Sequence, residues 1–138
     1  MQTLPIRLTP GQDLRQALEA AVRSQGCRAA FVLSGIGSLA DAHLRFAGAE
    51  QPQRLTGATE ILTLSGTVAF NGSHSSSHLH MALSTFHRRG LRWACPGCIV
   101  RTTAEVLLGL LPEWEFACEP DALTGYDELV VRPRADSP

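Results

Sequence analysis

The chain has 138 residues, the usual size of one domain, with 44% hydrophobic and 18% charged residues, which excludes a disordered or low-complexity protein. Its formal net charge is −1 with neutral histidines, and all 12 basic residues are arginine, so no global field draws it to nucleic acid or to an anionic membrane. No N-terminal apolar run resembles a signal peptide, and the longest apolar run, residues 106–112, is too short to span a bilayer. The expected compartment is the cytoplasm, where Cys27, Cys95, Cys98 and Cys118 stay thiols instead of forming a disulfide framework.

In chain order, residues 3–8 alternate and predict an edge strand. Thr9-Pro10-Gly11-Gln12 then opens a helix, with threonine as cap, proline in the first turn and glutamine at the capping-box position. Leu14, Ala17, Leu18, Ala21 and Val22 follow at helical spacing, and Gly26 supplies the stop. Residues 28–39 carry apolar side chains on both parities (Phe31 and Leu33, Val32 and Ile36), which suits a strand covered on both faces. Residues 41–46 predict a second strand, and residues 50–57 read as a polar loop.

Residues 60–70 alternate, with Leu62, Leu64, Val68 and Phe70 on one face and Thr63, Ser65 and Thr67 on the other. Asn71-Gly72 is a turn signal. Residues 76–84 alternate again, Leu79, Met81 and Leu83 against His78, His80 and Ala82. Residues 100–111 fit a strand, with a helical stripe as the rival pattern. Residues 114–118 and 127–131 are the closing strands. The sum is an α+β fold, a mostly antiparallel sheet packed by the N-terminal helix. It forms one domain over residues 1–132, with a short polar tail over 133–138.

His78 and His80 are the first candidates for chemistry, because residues i and i+2 of a strand project from one face and two imidazoles can then reach one metal ion. Zinc needs at least one ligand more. His74, His87, Cys95 and Cys98 are weaker candidates, the two cysteines forming a Cys-x-x-Cys pair around a Pro-Gly turn. Arg45 and Glu105 would line a pocket with the histidines if their strands neighbour, and the guanidinium would favour an anionic ligand. Arg88, Arg89 and Arg92 beside Trp93 form the basic cluster suited to nucleic acid. A P-loop, a Gly-x-Ser-x-Gly elbow and a spaced dinucleotide fingerprint are absent from the sequence.

Several linked stretches resemble the PPC domain, the plants-and-prokaryotes conserved domain. They are Pro10-Gly11-x-Asp13-Leu14, Leu33-Ser34-Gly35-Ile36-Gly37-Ser38 and Ala42-x-Leu44-Arg45. Glu60-Ile61-Leu62-Thr63-Leu64-Ser65-Gly66-Thr67, His78-Leu79-His80-Met81-Ala82-Leu83 and Val100-x-Thr102-Thr103-Ala104-Glu105-Val106 complete the set. The resemblance implies a fold built on an antiparallel sheet and assembly as a homotrimer. Plant members place the domain after AT-hook motifs that bind DNA, and this chain has no such motif. They also carry a Gly-Arg-Phe-Glu-Ile-Leu stretch linked to partner binding; Gly57, Glu60, Ile61 and Leu62 match it here, while Ala58 and Thr59 replace the Arg-Phe pair. Many members continue from the histidine strand into Gly-Gly-His, which residues 85–94 lack. The resulting expectation is a binding or regulatory module associated with DNA, in preference to an enzyme. Two alternatives stand beside it: a zinc-dependent small-ligand binder or enzyme with its histidine site at a subunit boundary, and a trimeric protein-interaction module.

Overall fold

A computed structural model describes residues 1–45, 49–71, 74–84, 89–94 and 97–135, with Asn71 and residues 89–94 described by backbone. The elements are β1 (Gln2–Leu8), α1 (Leu14–Ser24), β2 (Ala29–Arg45), β3 (Gln53–Asn71), β4 (His74–Ser75), β5 (His78–Ser84), β6 (Arg89–Ala94), β7 (Ile99–Leu110), β8 (Trp114–Pro120) and β9 (Asp127–Pro133). Seven strands form one sheet in the order β1-β7-β2-β6-β5-β3-β4, and β2 also pairs with β3. The extra pairing closes β2, β3, β5 and β6 into a ring of antiparallel neighbours. Strands β8 and β9 form a separate two-stranded sheet. This is the mostly antiparallel α+β arrangement the periodicity predicts, with β1 at an edge.

The helix starts later than its sequence signals suggest. Gly11 takes φ +86, a left-handed conformation outside any helix, so Thr9 and Gln12 hydrogen-bond each other in a turn before α1. Asp13 is the N-cap and its Oδ1 accepts from the Gln16 N–H at 3.0 Å. Leu14, Leu18 and Val22 are fully buried along one stripe; each such side chain contributes about 1.5–3 kcal/mol of transfer free energy.

The expected break between residues 39 and 41 is a bulge within one 17-residue strand. β3 likewise begins at Gln53, inside the stretch read as loop, because Gln53, Arg54, Leu55 and Thr56 pair with β2. Residues 100–111 choose strand over helix because β1 and β2 flank β7 on both edges. β9 runs to Pro133. Beyond it the Arg134 N–H donates to Glu113 O at 2.8 Å and its guanidinium to Gly26 O at 2.9 Å, so the first residues of the expected tail are tied down.

Bulges also correct the face assignments. Between Val32 and Ser34 the β2–β7 register slips by one residue, so Ile36 joins Phe31 and Leu33 on the outer face while Val32 and Gly35 point inward. Between Ile61 and Thr63 the β3–β5 register slips too, which turns Leu62 outward and Ile61 inward. The expectation of a β2 covered on both faces therefore fails within the single chain. Inside the ring, Leu44, Ile61, Leu64, Leu79, Met81 and Leu83 form the core.

Two glycines permit close strand approaches, one inside the ring between β3 and β5 and one outside it between β2 and β7. Gly66, at φ +139, lies so close to β5 that a Cβ would fall on the His78 carbonyl oxygen, and a Cβ on Gly37 would fall on the Thr103 carbonyl oxygen. Gly66→Ala is expected to cost about 3 kcal/mol through backbone strain and overpacking together. Its thermal midpoint should fall by about 10 °C. Gly57→Ala, with φ +100 but open space around it, is the control and should cost about 1 kcal/mol.

Candidate functional site

The β5 alternation holds as read: Leu79, Met81 and Leu83 are buried, and His78 and His80 stand on the opposite face. Their imidazoles stack in parallel, with centroids 4.8 Å apart and planes 7° from coincident. Strand register extends this face on both sides. Thr67 of β3 lies opposite both His78 and Phe31, and Ser65 lies opposite His80. A row across three strands thus reads Phe31, Thr67, His78, joining an aromatic ring to a hydroxyl and an imidazole on one surface.

Arg45 ends β2 opposite Trp93 of β6, which in turn lies opposite His80, so Arg45 reaches the histidine region. Glu105 does not. It is exposed on β7, opposite Arg7 and Ile36, and β2 and β6 separate it from β5. Neither β2 nor β7 pairs with β5 directly: β6 stands between β5 and Arg45, and both β6 and β2 stand between β5 and Glu105.

The His78 imidazole is pushed below its ordinary pKa of 6.5. Partial burial is the largest cause, followed by the neighbouring His80 and the positive charges of Arg15 and Arg45; Glu128 opposes the shift. The neutral ring is therefore favoured near pH 7, which is the form that ligates metal or accepts a hydrogen bond.

The other candidates lie elsewhere. His74 is exposed on β4, opposite Asn71. Cys98 is buried at the N-terminal end of α1, where its carbonyl accepts from the Leu14 N–H and its thiol donates to the His43 carbonyl at 3.5 Å. At that end Asp13 accepts from the Gly97 N–H at 2.6 Å, and the His43 ring lies over Gly97. His87, Arg88 and Cys95 fall outside the described residues, as do the side chains of Arg89 and Arg92. Among the described residues no group of three or more His, Cys, Asp or Glu side chains is placed to hold a metal ion.

In the strand matching the family's partner-binding stretch, Glu60 is exposed opposite Ser38 and Ser84, Gly57 is exposed at φ +100, Ile61 is buried and Leu62 is exposed. Sequence reading missed that Phe31, Leu33 and Ile36 share one open face with Leu62. The signal available was the glycine density of Gly35 and Gly37 within the apolar run, which marks a bulged strand.

The sequence profile of the Plants and Prokaryotes Conserved (PCC) domain matches residues 1–112. The chain belongs to the PCC domain family. Among solved structures, a hypothetical protein from Salmonella cholerae-suis (Salmonella enterica) superposes with a TM-score of 0.88 at 40% identity, covering 96% of this chain and 94% of that one. A "putative DNA binding protein" from Bacteroides thetaiotaomicron superposes with a TM-score of 0.80 at 16% identity, covering 93% and 91%, and shares the fold. A Synechococcus protein named bifunctional protein GlmU is 42% identical over 141 residues, matching 100% of this chain. This PCC domain spans about a fifth of the length of the curated relatives it matches. Among the described residues of the domain no helix is long and apolar enough to cross a membrane.

The shift at His78 has a definite sign. Its folded-state pKa lies below the unfolded value, so the unfolded chain binds the proton more tightly. The associated stability is fully present above about pH 6.5 and is lost as pH falls toward the folded pKa. An imidazole NMR titration should put the His78 midpoint below 6.5, and His80→Ala should raise it by removing a like charge. A midpoint at or above 6.5 would refute the assignment.

Proposed function

We propose that this PCC domain is a self-assembling binding module, forming a homotrimer through its outer sheet face and associating with DNA through a partner. One observation carries the reading. Phe31, Leu33, Ile36 and Leu62 are 42%, 45%, 56% and 49% exposed on the outer face of β2 and β3. The flanking register, Val32 opposite Gly66 and Gly37 opposite Ile61, sets Ile36 across from Leu62. A contiguous apolar face of this kind marks an interaction surface.

The DNA association draws on the Bacteroides structure's name and on the family, and the charges support an indirect route. Arg15, Arg28, Arg54 and Arg132 are each in an ion pair with Glu19, Glu115, Asp41 and Glu119. The Synechococcus relatives, in which the same domain is one part of a longer chain, support a modular role.

A second reading rests on the stacked imidazoles. His78 and His80 sit side by side on one face, and their parallel rings would have to turn for the ring nitrogens to converge on one zinc ion, with the third ligand supplied by a neighbouring copy. Metal analysis of untagged protein purified without chelator tests it. About one ion per chain, lost in His80→Ala with assembly intact, supports the site; a metal-free wild-type protein removes it.

Light scattering after size-exclusion chromatography tests the main reading. The wild type should elute as a trimer, and Leu62→Asp should dissociate it while keeping the circular dichroism of the fold. A monomeric wild type sinks the proposal. Duplex DNA binding by the purified chain should be weak and nearly flat with salt. A log–log salt slope of about −3, one for each of Arg88, Arg89 and Arg92, would instead assign the contact to the chain itself.

A further inference from the structure

The hairpin of β8 and β9 carries a charge opposite to that of the chain before it. Residues 113–131 hold six acidic and no basic residues, whereas residues 1–112 hold ten basic and six acidic ones. The hairpin also lies beyond residues 1–112, the part that the family profile matches. Arg28 and Arg132 pair with Glu115 and Glu119. Asp121, Asp127 and Glu128 gather around the turn: the Asp121 N–H donates to Tyr126 O at 2.9 Å, Asp127 lies opposite Pro120, and Glu128 lies opposite Glu119. This acidic tip holds two apolar side chains out in water, Leu123 at 96% and Tyr126 at 75% exposure. The backbone that presents them is tied down. Asp121 Oδ1 accepts from the Leu123 N–H at 2.7 Å and the Thr124 N–H at 3.3 Å, the Gly125 N–H donates to Asp121 O at 2.8 Å, and the Tyr126 N–H donates to Thr124 Oγ1 at 3.3 Å. Gly125 takes φ +76 to let the turn close.

We propose that this tip docks a basic protein segment, rich in arginine or lysine and carrying apolar side chains that cover Leu123 and Tyr126. Charge complementarity selects the occupant. Carboxylates around an apolar centre repel nucleic-acid phosphates and anionic lipid and attract a cationic chain. The apolar pair supplies what charge alone does not, a contact that is desolvated on binding and fixes where the segment sits. Every N–H from Leu123 to Tyr126 is already engaged, so the turn is ordered before the partner arrives and little backbone entropy is lost on docking. The edge-to-face contact of Phe116 with Phe31 anchors β8 to the large sheet, which holds the tip in one place. The inference rests on the indirect route to DNA proposed above and names the class of partner, because a protein that contacts DNA must itself be basic to neutralise phosphates.

The probe is a short fluorescent peptide of alternating arginine and leucine, read by anisotropy. It should bind the wild type, and a peptide of alternating glutamate and leucine should not. Leu123→Ser/Tyr126→Ser should weaken binding about 10-fold and, both side chains being exposed, should keep the circular dichroism of the fold. Asp127→Asn/Glu128→Gln should weaken binding too and flatten its dependence on salt. Glu50→Gln, which removes an exposed carboxylate between β2 and β3, should leave binding unchanged. A wild type that ignores the arginine peptide, a folded tip variant that binds it as the wild type does, or an equal loss in Glu50→Gln overturns the proposal. If Leu62→Asp binds the peptide and the assembled wild type does not, a second copy covers the tip and the proposal also falls. The reading it rests on fails separately. Steeply salt-dependent binding of duplex DNA by the purified chain would end the indirect route, while loss of peptide binding in the tip variants would still assign the tip to a basic segment.

Discussion

The close approach of β3 to β5 at Gly66, matched by that of β2 to β7 at Gly37, is the constraint on which the rest of the molecule depends. Both glycines sit where a side chain would collide with the neighbouring backbone, and both strands bulge within a few residues of them. A bulged strand bends and twists more sharply than a regular one. The bending lets β2 pair with β7 and β6 along one edge and with β3 along the other, and so closes the ring around Leu64, Leu79 and Met81. The same slips of register decide what faces out. One extra residue in β2 moves Ile36 to the surface, and one in β3 does so for Leu62. The open apolar face is the by-product of the geometry that builds the core.

That face and the histidine face are one surface. Phe31 and His78 are joined through Thr67, two strand spacings apart, about 10 Å. A copy covering Phe31 and Leu33 would also change the surroundings of the imidazoles, whose charge state already answers to Arg15, Arg45 and Glu128 on three different elements. Assembly of the proposed kind would couple to the protonation of His78 through shared solvent exclusion.

Sequence periodicity made much of the fold legible where a single period persists. Leu14, Leu18 and Val22 fall at helical spacing and are buried; Leu79, Met81 and Leu83 alternate and are buried. It failed at the bulges, because counting by two cannot register an inserted residue, and so Phe31, Leu33 and Ile36 read as a strand hidden on both sides. The helix start was misplaced for a different reason. Gln12 Oε1 does accept from the Thr9 N–H, one half of a capping box, but the Thr9 hydroxyl donates to the same oxygen and the Gln12 N–H goes to the Thr9 carbonyl, and Gly11 ends that turn before the helix begins. The histidine pair was legible as i and i+2 on a strand. That Arg45 reaches it and Glu105 does not is a matter of strand order, which no local pattern encodes.

Asp13 serves two masters, and this bears on what holds the helix in place. One carboxylate oxygen caps the first turn of α1, and the other holds the Gly97 N–H across 84 residues of sequence. An 11-residue helix is marginal on its own in water. The cap is best oriented when the turn entering β7 has arrived, and the Leu14 N–H likewise finds its acceptor on Cys98. The most local element of the chain is thus completed by one of its most distant contacts, so the stability of α1 is tied to the turn that enters β7 and not to its own sequence alone.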